Sequence, residues 1–149
     1  MTAIQELQAA NQDFVNAMRG MSCLAMEEVW SRDERVVCVH PGYSPLIGWV
    51  KVRSAWIRIF QNVKIDDVAC QVRACQVAHS VGIVSSQIKM WVSSPFPPKE
   101  TPVVRRLLWV NIFCRYDGGW RCTLHQARLE SDKRIIDFEG GVLLQGASV

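Results

Sequence analysis

No apolar run in this 149-residue chain approaches the roughly 18 residues that a membrane-spanning helix needs. Its N-terminus is polar and lacks the apolar stretch of a secretory signal, so a cytoplasmic location is expected. There is no C-x-x-C pair among the six cysteines, Cys23, Cys38, Cys70, Cys75, Cys114 and Cys122. A zinc site needs ligand pairs at workable spacing. Cys122 and His125 are three apart in a strand-like run and should face opposite ways. Cys38 and His40 should share a face, yet no second pair follows them. Neither a metal nor a cofactor is expected. A disulfide framework does not suit a chain with an ample core and no signal peptide, so the cysteines read as small buried hydrophobes. Charge is also nearly balanced. Lys+Arg 17 against Asp+Glu 14 leaves +3, too little to imply a nucleic-acid partner. No internal repeat and no second domain are evident.

What remains has the balance of a folded globular protein, with 49% hydrophobic and 21% charged residues in a length that suits one core. The first half has helical spacing. Ile4, Leu7, Ala10/Asn11, Phe14 and Met18 predict an amphipathic helix over 3–19, stopped by Gly20. Ser22 is placed to cap a second helix with Met26, Val29 and Trp30 inward. Val36–Val39 predicts a strand that ends on His40. Pro41, Gly42, Ser44 and Pro45 mark a loop. Gly48 then opens a third helix carrying Trp49, Val52, Trp56, Ile59 and Phe60 on one side.

The second half changes period. Val68 to Ala74 alternates, and Val77 to Val92 is expected to continue as strand, bent at a bulge near Gly82. The proline-rich run 93–102 is a loop, because prolines cannot sit inside a sheet. Val103–Tyr116 and Trp120–Leu129 form strands around an Asp117-Gly118-Gly119 hairpin signal. Helices followed by a strand meander give the α+β class, with helices on one face of an antiparallel sheet. Residues 131–149 form a C-terminal extension that could add an edge segment, reach a partner subunit or be loosely ordered.

Three segments carry a resemblance over residues 3 to 130. They are V-V-C-V-H-P-G leading into L-I-G-W, then S-A-W-I-R-I-F, and finally Y-D-G-G-W-R-C-T-L-H-Q-A. The chain resembles the SnoaL-like branch of the nuclear-transport-factor-2-like, ketosteroid-isomerase-like superfamily. The resemblance implies a cone-shaped α+β barrel, three helices around a strongly curved antiparallel sheet, and a homodimer paired through the sheet. Isomerase members of the fold use a carboxylate base and an oxyanion hole of a Tyr and a protonated acid, ketosteroid isomerase being the standard example. His40-Pro41 stands here at the position of the base. Phe14 replaces the first-helix Tyr, and Asn111 or Ile112 falls where the acid would be. The steroid-isomerase machinery is thus incomplete.

A fold of this kind hosts many functions, so the residues must carry the argument. His40 is the candidate for chemistry, because imidazole titrates near neutral pH. Phe14, Trp30, Trp49 and Trp56 would line an apolar pocket, with Tyr43, Asn111 and His125 as further polar contacts. Which strand faces line the pocket stays open, because a register error of one residue reverses every assignment. Trp91, Trp109 and Trp120 suit either the core or a dimer interface. Three functions compete. The first is a domain that binds a small apolar ligand bearing a polar group. The second is an isomerase, dehydratase or cyclase acting on a carbonyl compound with His40 in proton transfer. The third is a protein-interaction module using the sheet face.

Overall fold

A computed structural model of the chain describes residues 1–96, 101–130, 134–137 and 142–145. Helix α1 (Ala3–Arg19) starts at a capping box. Thr2 Oγ1 accepts from the Gln5 amide and Gln5 Oε1 accepts from the Thr2 amide, which satisfies two orphan donors of the first turn. Leu7, Asn11, Phe14 and Met18 form its buried stripe, whereas Ile4 is exposed. Helix α2 (Cys23–Val29) is capped by Ser22 Oγ, which accepts from the Ala25 amide at 3.1 Å. Strands β1 (Val37–Val39) and β2 (Leu46–Ile47) flank the Pro41–Pro45 loop, and helix α3 (Trp49–Asn62) follows. Gly48 joins β2 to α3 with φ +93°, a backbone angle that disfavours any side chain.

Four long strands complete the main sheet: β3 (Lys64–Ala78), β4 (Val81–Ser93), β5 (Val103–Tyr116) and β6 (Gly119–Leu129). The order across the sheet is β2-β1-β6-β5-β4-β3. Every pairing is antiparallel except β1 with β6, so the sheet is mixed and open. The α+β cone predicted from sequence is therefore present, with this parallel exception. Strands β7 (Arg134–Asp137) and β8 (Val142–Gln145) form a separate antiparallel pair.

Leu46–Ile47, between the loop and Gly48, forms β2, a strand too short to leave a pattern in sequence. Two expectations need correction. Residues 68–92 are a hairpin and not one bent strand. The chain reverses at His79–Ser80, where His79 adopts φ +55°. The bulges lie elsewhere, in β3 between Ile65 and Asp67 and between Val72 and Ala74. Finally, Cys122 and His125 were expected on opposite faces, yet both are buried on one side. Ile112 pairs with Leu124 and Phe113 with Cys122, so Thr123 is the extra residue of a bulge. One added residue turns an odd spacing into a shared face.

The sheet face toward the helices carries Val84, Ser86 and Ile88 on β4, and Leu107, Trp109, Asn111 and Phe113 on β5. Gly82 belongs to that row. A Cβ built there would lie 2.6 Å from both methyl carbons of Leu7. The glycine thus serves close approach of α1 to β4. Gly82→Ala should cost about 1–3 kcal/mol through overpacking of this fully buried contact. Thermal melts of Gly82→Ala, Leu7→Ala and the double variant should show strong non-additivity, since the smaller partner relieves the clash.

Candidate functional site

The buried centre of the cone is aromatic. Phe14, from α1, has its ring centroid 6.2 Å from Trp30, 5.9 Å from Trp56 and 5.6 Å from Trp109. It also stacks on the His125 imidazole at 4.8 Å and 30°. These rings come from α1, the C-cap of α2, α3, β5 and β6, so the centre is closed by tertiary packing. Offset and edge-to-face pairs of this kind add about 0.5–1.5 kcal/mol each beyond the area they bury.

Inside this apolar shell lies a chain of polar side chains. Asn111 Nδ2 donates to Asn11 Oδ1 at 3.0 Å, and Asn111 Oδ1 lies 2.6 Å from His125 Nδ1. Asn11, Asn111 and His125 are all within 2% of complete burial. Because the Asn111 amide nitrogen serves Asn11, its oxygen is left to accept, and His125 Nδ1 carries the proton. His125 Nε2 is then the bare acceptor of the ring.

His40 closes the other side. It is half-buried at the end of β1, its ring edge-on to Trp56 at 4.9 Å and 6.3 Å from His125. Its Nε2 lies 3.4 Å from Cys38 Sγ. Parallel pairing of β1 with β6 sets Cys38 opposite His125, and this brings the two histidines together. Burial lowers the His40 pKa to about 4. Burial, with a smaller contribution from His40, lowers that of His125 to about 3. Burial also pushes the Cys38 thiol up to about 12. All three groups are neutral at pH 7, so Cys38 and His40 do not form a thiolate–imidazolium pair.

The indole N–H groups of Trp30, Trp56 and Trp109 are buried without a hydrogen-bond partner among the described residues. Such donors are costly in a core, at about 1–3 kcal/mol each. The centre is filled by these side chains. Two surface hollows lie elsewhere. One of about 400 Å³ sits between α1 and the β5–β6 turn, and one of about 430 Å³ sits at the start of α3.

Of the residues singled out in sequence, Phe14, Trp30, Trp56, His40, Asn111 and His125 come together. Trp49 lies beside Trp30 at 6.2 Å and lines the hollow at the start of α3. Tyr43 is 76% exposed in the loop, outside the cluster. Trp109 and Trp120 are buried on the helix side of the sheet. Asn11 and Trp109 were not among the candidates. Asn11 was visible as a polar residue in an otherwise apolar helical stripe. All six cysteines are free, and no cluster of three metal-ligating side chains occurs among the described residues. No described helix is long and apolar enough to cross a membrane.

Comparison with known proteins agrees with this architecture. Residues 7–127 match the model of the SnoaL-like domain. No functionally curated protein matches. Among solved structures, a candidate calcium/calmodulin-dependent protein kinase type II association domain from Thiobacillus denitrificans is similar. It is 25% identical, with TM-score 0.67, over 82% of this chain and 93% of that one. A candidate NTF2-like dehydratase from Streptomyces avermitilis is 20% identical with TM-score 0.74, over 85% and 95% of the two chains. A ketosteroid isomerase-like protein from Erwinia carotovora atroseptica is 15% identical with TM-score 0.76, over 86% and 96%.

The neutral histidines set a pH dependence. Free imidazoles titrate near 6.5, so as pH falls the unfolded chain takes up protons before the folded one. Stability should be complete above about pH 6.5 and fall progressively toward pH 4. Denaturant midpoints across that window should drop in the wild type and drop less in His125→Phe. At neutral pH, Asn111→Leu should lose about 1–3 kcal/mol, because it strips a partner from both Asn11 and His125.

The match to the family model over most of the chain makes this protein a member of the SnoaL-like domain family, with the fold of the NTF2-like and ketosteroid isomerase-like structures.

Proposed function

We propose that this domain binds a small, mainly apolar molecule bearing a polar group at the centre of the cone, with His40 at the entrance and His125 at the floor. One observation carries this reading: a hydrogen-bonded, uncharged polar chain ends on His125 inside a shell of aromatic rings whose indole donors have no partner. A core selected for stability alone would favour apolar residues at these positions. Ligand sites of this type are apolar with a few placed polar groups. Trp56 and Phe60 lie tilted by 34° with centroids 5.8 Å apart on α3, and on this reading entry requires that these rings give way. Residues 1–130 constitute the domain and 131–149 an extension to it. Six unpaired thiols favour a reducing compartment, in keeping with the cytoplasm.

A catalytic version of the same reading draws on the closeness of the two imidazoles. Rings 6.3 Å apart can reach one ligand from two sides. His40 would then take a proton beside a carbonyl, as an isomerase, dehydratase or cyclase requires.

The sheet face turned from the helices supports a homodimer. Ile83, Leu108, Val110 and Ile112 lie half-buried there in adjacent strands. A stable pair needs about 800 Å² from each partner, and a broad sheet offers that area. Ile112→Glu should convert a dimer to a monomer in sedimentation velocity, while circular dichroism stays unchanged.

The binding reading is tested by a thermal-shift screen of lipophilic carbonyl compounds, alcohols and acids on the wild type and on His40→Ala. A compound that raises the melting temperature of the wild type only is the expected result, and it becomes the first compound to assay for turnover. If no compound shifts either protein and His40→Ala melts lower, His40 is structural and the reading fails.

A further inference from the structure

The polar chain has a direction, and the direction sets what a ligand must bring. Asn111 uses its amide nitrogen on Asn11 and its oxygen on His125 Nδ1–H. An imidazole that donates through Nδ1 and stays neutral presents only a lone pair at Nε2. The buried polar residues of the described chain are Asn11, Ser31, Ser86, Asn111 and His125, none of them charged. An ionised ligand would therefore meet no counter-charge. Two of the rings packed on this imidazole carry unused donors. Trp109 and Trp56 have ring centroids 5.1 and 5.8 Å from His125, and both indole N–H groups lack a partner among the described residues.

One small functional group answers both demands. A hydroxyl donates its proton to a lone pair while its oxygen accepts from an N–H. An ether or ketone oxygen answers the indoles but leaves His125 Nε2 unpaired. A carboxylate has no proton to give and carries a charge into an uncharged core.

We propose, resting on the interior-site reading above, that the ligand is an uncharged alcohol or phenol on an apolar frame, its hydroxyl donating to His125 Nε2. The site thus discriminates for a hydrogen-bond donor and against acids and capped oxygens.

Nuclear magnetic resonance titration of histidine-labelled protein at neutral pH tests this with phenol, anisole and benzoate, which differ only in the polar group. Phenol is expected to bind at least about tenfold more tightly than anisole, the factor that one well-made hydrogen bond supplies. Benzoate should be the weakest. The nitrogen shifts of His125 should report the Nδ1–H tautomer, and phenol should move the Nε2 signal. His125→Phe keeps the ring and should abolish the preference. If that variant does not fold, the tautomer and the Nε2 shift are read on the wild type alone. Equal binding of phenol and anisole, or an Nε2–H tautomer, overturns the donor inference while the interior site stands. No binding by any of the three overturns the interior site and the inference together.

Discussion

Two hydrogen bonds between uncharged side chains, from Asn111 to Asn11 and from His125 to Asn111, tie the helical layer to the middle of the sheet. Asn11 lies on α1, Asn111 on β5 and His125 on β6, and the first two are 100 residues apart in sequence. In a low-dielectric interior such a chain is strong when complete and expensive when broken. It fixes the rotation of α1, since Asn11 must face Asn111. It also fixes Phe14, one turn further along the same stripe, onto His125. Gly82 sets the distance of the same helix from β4 through Leu7. The polar pair and the missing Cβ together define how the helix sits, and the aromatic centre is built on that placement.

The centre differs in kind from an acid–base site organised by carboxylates. Its histidines are neutral and its neighbouring thiol is protonated, all because burial penalises charge. Charged residues occur at the rim and outer surfaces, as in the Arg19–Asp67 and Arg53–Glu27 pairs. Solvent-exposed pairs of this sort contribute little. On the proposed ligand-binding reading, recognition at the centre comes from hydrogen-bond direction and shape, which discriminate between neutral molecules more sharply than Coulomb attraction does.

Much of this architecture was legible in sequence because it rests on periodicity. The stripe of α1, the cap at Ser22, the opening of α3 after Gly48 and the β5–β6 hairpin all follow from local chemistry. His40 at a strand end was legible for the same reason. What sequence does not encode locally is register. The bulge at Thr123 has no marker such as glycine, yet it decides that Cys122 and His125 share the interior. The turn at His79–Ser80 carries no Gly or Pro, and a left-handed His is an uncommon solution that tertiary context must enforce. Asn11 lay in view in the helical stripe, but its meaning depends on Asn111 and could not be read from α1 alone.

The parallel pairing of β1 with β6 also governs when the site comes into being. Val37, Cys38 and Val39 find their partners only at Leu124, His125 and Gln126. While the chain is being made, the apolar faces of α1 and α3 emerge early and wait for strands synthesised much later. Pairings of such long sequence separation close slowly, and exposed apolar faces invite association in the interval. The two histidines therefore meet in the last stage of assembly, so a ribosome stalled before β6 would carry His40 on a nascent chain that has no site at all.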